Sequence, residues 1–232
     1  MAFDQDGPDC GSLSIPPALS IDEVENAAEM IELYWMARLR DFSFSDIANP
    51  KDNQLKDLIK DALKDLNEFG KDFKGPKDRN TINVTNATLF KGFTPGDLVG
   101  PYLSQFLIKD INFGVFNFEQ KLKPIKKGKN YLTTFEDWKS VQDGESREGQ
   151  VLFDDDTSTE EPQDMRRHFI NGRDIARYTQ VDALYEAYLN ASLILLHMPG
   201  LVDSGNPYTD SKNQTGFGTF GNPLILSLLT VM

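Results

Sequence analysis

The sequence predicts a mainly α-helical protein with one small β-hairpin around residues 110–132. Three observations carry this. Apolar residues recur at steps of three and four over residues 21–39, 53–69 and 173–198, the period of one helix face. Helix start signals, a capping Ser or Thr followed by an early carboxylate or a proline, stand at Ser20, Thr94 and Thr133. Only residues 110–119 approach the alternation of a strand. With 39% hydrophobic and 11% aromatic residues, the 232-residue chain has enough apolar mass for a core, and residues 1–232 read as a single helical domain.

Ser20 precedes Ile21, with Glu23 in the capping-box position, and Val24, Ala28, Ile31, Trp35 and Leu39 then share a face. From Asn53 to Phe69, Leu55, Leu58, Ile59, Ala62, Leu63 and Leu66 form an apolar stripe against a charged opposite side, and Gly70 closes the helix. Residues 71–92, rich in Asn, Thr, Gly and Pro, read as a loop. Thr94-Pro95-Gly96-Asp97 opens the next helix, which is expected to carry Leu98, Tyr102, Phe106 and Leu107. Ile111, Phe113, Val115 and Phe118 predict a bulged strand, with a partner near Lys129 to Leu132 completing the hairpin. Thr133 with Glu136 caps a short helix through Trp138. Residues 143–164 form an acidic loop. The longest helix is expected from near Arg173 to Met198, with Val181, Leu184, Tyr188, Ala191 and Leu195 on one stripe and a second half apolar enough to be central. Pro223 starts a last helix, Leu224 to Met232, that has no stop signal, so the ending reads as an interruption of a longer fold.

Charge and residue inventory narrow the chemistry. A formal net charge of -12 opposes sequence-independent nucleic-acid binding, which draws affinity from Lys and Arg on phosphates. The one dense basic stretch, Lys121, Lys123, Lys126, Lys127 and Lys129, reads as a solvated strand-to-loop region. A single cysteine, Cys10, excludes an internal disulfide framework, and His168 and His197, far apart and without ligand partners at helical spacing, read as ordinary helix-end histidines. No metal-ligating, catalytic or cofactor-binding residue is assigned. Asp154, Asp155, Asp156, Glu160 and Glu161 lack the ligand alternation and turn glycine of a calcium loop and read as solvated. Residues 1–15 carry Asp4, Asp6 and Asp9 and no basic start, so no secretory signal is read there, and no window approaches the roughly 20 apolar residues of a membrane helix. Asn83 and Asn86 begin acceptor tripeptides that matter only in a secreted eukaryotic protein.

Gly216, Gly218 and Gly221 match the dinucleotide fingerprint literally. The context rejects it, because a polar loop rather than a strand precedes the motif and the expected acidic residue would fall beyond residue 232. These glycines are expected instead to let a loop bearing Phe217 and Phe220 pack closely on the helices.

Several stretches taken together resemble one family. They are Glu29-Met30-Ile31-Glu32-Leu33-Tyr34-Trp35-Met36-Ala37; Phe90-Lys91-Gly92-Phe93-Thr94-Pro95-Gly96-Asp97-Leu98-Val99-Gly100-Pro101-Tyr102-Leu103-Ser104-Gln105-Phe106; Asn171-Gly172-Arg173-Asp174; Tyr188-Leu189-Asn190-Ala191; and Gly216-Phe217-Gly218-Thr219-Phe220-Gly221. In this order, over most of the chain, they look like the vanadium-dependent haloperoxidases of the bromoperoxidase type, in the superfamily of the type 2 phosphatidic acid phosphatases. The resemblance implies a helical-bundle portion of a haloperoxidase-like fold, a protein-held vanadate, and oxidation of halide by hydrogen peroxide to hypohalous acid. Vanadate in such a site is a phosphate-like anion that needs Lys, Arg, Ser and backbone donors and a histidine on the metal. The family supplies them from a lysine with a later Arg-Pro pair, a Pro-Ser-Gly-His sequence, and an arginine with histidine six positions on. None of the three occurs in these 232 residues.

The resemblance therefore implies a front-to-middle section, an incomplete helical domain cut at both ends, with Met1 inside the family's usual sequence. Expected of it is no vanadate and no halide oxidation by itself. The alternative is a non-enzymatic helical interaction protein that covers Leu224–Met232 against its own copy, as a homo-oligomer, or against a separately encoded C-terminal half.

Overall fold

The computed structural model describes residues 18–125, 127–128, 130–145, 166–198 and 203–231. The acidic stretch at 146–164 and Cys10 lie outside the described residues. Among the described residues, eight α-helices and a two-stranded antiparallel sheet follow one another as α1 (Val24–Leu39), α2 (Phe44–Ala48), α3 (Asn53–Glu68), α4 (Pro95–Val99), β1 (Ile111–Phe113), β2 (Phe116–Phe118), α5 (Phe135–Gln142), α6 (Gly172–Gln180), α7 (Glu186–Leu196) and α8 (Asn222–Val231). The mainly helical class holds.

The larger core joins α1, α2 and α3 to the loop that follows. Ala28 and Leu39 of α1, Ile47 of α2 and Leu55, Ile59 and Leu66 of α3 pack with Phe73, Val84 and Leu89. Asp52 caps α3 by accepting from the Leu55 N–H at 2.9 Å, and Gly70, at φ +52°, turns the chain out of it as the sequence predicts. The loop at 73–92 is held from within the fold. Asn67 Nδ2 donates to the Val84 carbonyl at 3.0 Å, and Asn67 Oδ1 accepts from the Val84 N–H at 2.8 Å. One amide side chain thus satisfies both backbone groups of a buried residue.

Several boundaries differ from expectation, each for a local reason. α1 begins three residues late, because Ser20 Oγ bonds Asp22 Oδ1 at 2.5 Å and no side-chain cap closes on the helix at Glu23. α4 ends at Val99 rather than running on to Leu107. Gly100 is extended ahead of Pro101, which disfavours helical backbone before it, and Phe106 and Leu107 lie in a separate 3-10 turn. The hairpin forms entirely inside the single strand expected at 110–119. Gly114 turns at φ +62° and Ile111 pairs with Phe118, whereas residues 130–132 carry no strand. Thr134, not Thr133, caps α5 by accepting from the Asp137 N–H.

The expected long helix from 173 to 198 is two. α6 stops at Gln180, Tyr185 takes φ +47°, and α7 restarts with Glu186 Oε2 accepting from the Ala183 N–H at 2.9 Å. The break rotates the second helix, so the expected stripe of Val181, Leu184, Tyr188 and Leu195 faces outward, while Leu193 and Ile194 are buried against Ile111, with Phe106, Leu189, Met198 and Leu226 packed around them. The glycine-rich loop also closes on itself rather than on the helices. A Cβ on Gly216 would sit 2.3 Å from the Phe220 carbonyl oxygen and one on Gly221 2.5 Å from Gly216, while Phe217 and Phe220 are exposed.

Candidate functional site

The stretch 90–106 is where the sequence is most distinctive, and its side chains serve architecture. The Tyr102 ring stacks on Phe44 at 5.6 Å, and its hydroxyl donates to the Leu89 carbonyl at 3.0 Å. Lys91 Nζ lies 3.9 Å over that ring and donates to the Gly100 carbonyl at 2.7 Å. Partial burial lowers the Lys91 pKa, opposed by the nearby Asp97 carboxylate. The contact is a cation–π clamp on a loop.

A second polar centre joins three distant segments. Arg173 Nε donates to Asp41 Oδ1 at 2.5 Å and its Nη2 donates to Asp41 Oδ2 at 2.8 Å, a fork that fits a carboxylate edge. Asp41 also accepts from the Gly128 N–H at 3.2 Å. The Arg173 hydrogen bond, foremost, holds the Asp41 carboxyl below its ordinary range. Beside it, Arg167 donates through both terminal nitrogens to Asp174, at 2.5 and 3.0 Å, and Asp174 Oδ2 accepts from the Ile170 N–H. Asn171 caps α6 by accepting from the Asp174 N–H at 3.0 Å. Gly172 packs on the Arg40 backbone, where a Cβ would come within 3.3 Å of Arg40 Cα. The segment Asn171-Gly172-Arg173-Asp174 is a clasp between α6 and the end of α1.

The third feature is an open pocket of about 530 Å³ bordered by the hairpin, the segment after it, α6 and α7, within the size range of small-molecule sites. Phe113, Phe118, Phe169, Tyr178, Leu189 and Leu193 give it an apolar wall. Four of its polar side chains are engaged: Lys121 pairs with Glu119 at 2.8 Å, Glu186 holds the Ala183 N–H, and Gln120 donates to the carbonyls of Phe106 and Lys109. The buried Tyr178 hydroxyl has no hydrogen-bond partner among the described residues. Burial, then Glu186 and Asp182, raises its pKa, so it stays protonated at neutral pH. Such a cavity accepts an apolar group and lacks a free acid–base pair.

These centres do not fit an oxoanion. The guanidinium groups of Arg167 and Arg173 face carboxylates, and the cavity rim bears two glutamates beside one paired lysine. His168 Nδ1 donates to the Gln120 carbonyl at 3.1 Å and His197 Nδ1 to the Leu193 carbonyl at 2.8 Å. His197 ends α7, as the sequence suggests, whereas His168 stands in the bridged segment before α6. Among the described residues no group of three or more His, Cys, Asp or Glu is placed to hold a metal ion, and no helix is long and apolar enough to cross a membrane. Sequence reading did not find the Asp41–Arg173 clasp or the cavity; the only advance signal was the distinctiveness of residues 171–174.

No protein-family model matches the chain. Vanadium-dependent bromoperoxidases of Corallina pilulifera and Corallina officinalis are each 31% identical over 264 aligned residues, which cover 99% of this chain and 43% of each relative. A vanadium-dependent bromoperoxidase of Ascophyllum nodosum is 29% identical over 227 residues, covering 95% of this chain and 38% of that protein. Among solved structures, the homohexameric second vanadate-dependent bromoperoxidase of Ascophyllum nodosum matches with a TM-score of 0.75 at 27% identity, over 97% of this chain and 36% of that one. The chain thus spans about two fifths of the length of the relatives it matches.

Proposed function

We propose, for this homologue of the vanadium-dependent bromoperoxidases, that its 232 residues supply the helical scaffold of a haloperoxidase and do not by themselves oxidise halide. The observation that carries the reading is where the cationic side chains go. Arg167 and Arg173 hold Asp174 and Asp41, Lys91 clamps Tyr102, and the three vanadate-binding motifs implied by the resemblance do not occur in this sequence. A site for vanadate needs such donors free and converging on one anion. Hydrogen peroxide and halide are then substrates of the family's reaction, not of this stretch alone. Purified chain given vanadate, hydrogen peroxide, bromide and a phenolic dye is expected to show no vanadate-dependent bromination. Appreciable bromination overturns the proposal.

The reading extends to assembly: the chain self-associates, in keeping with a homohexameric structural relative. A second reading, a non-enzymatic protein that pairs through Leu224–Met232 with a separately encoded catalytic half, is favoured by one observation. Ile225 and Leu228 of α8 are exposed, while Leu226 packs toward α7. Native mass spectrometry of the chain with and without a C-terminal half taken from a relative separates the two, since only the second reading requires a stoichiometric complex.

A further inference from the structure

We infer that Asn83 is the attachment site of an N-linked glycan when this chain passes through a eukaryotic secretory route, and that the fold excludes its neighbour Asn86. The two begin the consecutive acceptor tripeptides Asn83-Val84-Thr85 and Asn86-Ala87-Thr88. In sequence they are equivalent. Their surroundings differ.

Asn83 ends a tight turn that is built without its side chain. Asp78 Oδ1 accepts from the N–H groups of Asn80 and Thr81 at 3.0 and 2.9 Å. The Ile82 N–H donates to the Asp78 carbonyl, and the Asp78 N–H to the Asn83 carbonyl, each at 2.8 Å. The Asn83 side chain is exposed, and among the described residues neither its amide nor the Thr85 hydroxyl makes a hydrogen bond. Asn86 is the reverse case. Its Nδ2 donates to the Ala48 carbonyl at the end of α2 at 3.1 Å, and its Oδ1 is buried. Thr88 is 8% exposed, and its hydroxyl donates to the Thr85 carbonyl at 3.3 Å and accepts from the Thr85 N–H at 3.0 Å.

In the transfer, Asn83 Nδ2 bonds to the anomeric carbon of an oligosaccharide carried on a lipid pyrophosphate. The bond from that carbon to the pyrophosphate oxygen breaks, the lipid pyrophosphate leaves with the electron pair, and the amide nitrogen gives one proton to a base of the transferase. On Asn83 the sugar extends into solvent and costs no contact. On Asn86 it would lie against α2 and part the loop from it, where Ile47 of α2 and Val84 and Leu89 of the loop share the larger core. An unfolded chain offers both asparagines; the folded one keeps only a glycan on Asn83.

The test expresses the whole chain behind a secretory leader in eukaryotic cells and separates folded from unfolded product by protease resistance. Release with peptide N-glycosidase in heavy-oxygen water marks each formerly glycosylated asparagine for mass spectrometry. The folded fraction of the unaltered chain is expected to carry the mark at Asn83 alone. Thr85→Ala, which removes the first tripeptide through an uncommitted hydroxyl, is expected to fold and to lose the glycan. With Asn83→Gln, marked Asn86 is expected only in the protease-sensitive fraction. A folded chain marked at Asn86, in any of the three, overturns the exclusion. A folded unaltered chain without a mark at Asn83 overturns the assignment.

Discussion

Replacing Arg173 by alanine removes the partner that Asp41 is built around. The Arg173 side chain is 9% exposed and that of Asp41 26%, so the pair lies between two regimes. Exposed ion pairs contribute about 0.2–1 kcal/mol, and removing one member of a buried pair costs about 3–5 kcal/mol. With partial solvent access at Asp41, and the Gly128 N–H left as its remaining donor, Arg173→Ala should cost about 2–3 kcal/mol. At a urea slope of about 3 kcal/mol per M, the unfolding midpoint falls by about 0.7–1 M. The pH dependence sets the sign. The native Asp41 pKa is depressed, so the stability it contributes is fully present above the unfolded value of about 3.9 and is lost as pH falls through the native value. The gap between parent and variant should be constant from pH 5 to 8 and narrow on acidification toward pH 3. Arg173→Lys restores only part of the loss, because an ammonium cannot reproduce the two-pronged contact. A midpoint shift below about 0.3 M, or a gap that stays constant into acid, refutes the reasoning.

Asn67→Ala strips the donor and acceptor from Val84, which is 3% exposed, and should cost about 2–4 kcal/mol, with faster amide exchange at Val84 by mass spectrometry. Leu66→Ala, at a fully buried position, should cost about 2–5 kcal/mol in the same urea titration. Gly114→Ala meets no atom within 4 Å but keeps φ near +62°, so its cost of about 1 kcal/mol is purely of the backbone. An unchanged or higher melting temperature counts against that account.

What the sequence shows of this fold depends on how local each determinant is. α3 is readable because its stripe, its charged side and Gly70 all lie within 18 residues. The Thr94 cap of α4 is equally local, and so is the stop, where Pro101 holds Gly100 extended. The break between α6 and α7 is not readable: no glycine or proline marks residues 181–185, and the restart rests on Glu186 reaching back to Ala183. The hairpin turn hid inside an apparent alternation, since Phe113, Phe116 and Phe118 are aromatic on both sides of Gly114. The clasp and the cavity depend on residues brought together from distant segments, beyond the reach of any window. The resemblance to the bromoperoxidases was nevertheless legible from short identities in consistent order, and two of those stretches, around Tyr102 and from Asn171 to Asp174, hold distant segments together.

Asp41 and Arg173 are 132 positions apart, whereas Asn67 and Val84 are separated by 17. Closing the longer loop costs about 1.8 kcal/mol more in chain entropy. The order of assembly follows from that difference: α1, α2, α3 and the loop ending at Leu89 can form as a local unit, and α6 then docks on a finished platform. A weakened clasp should therefore leave the folding rate nearly unchanged and quicken unfolding. The late-joining half is the part of the molecule that lets go first.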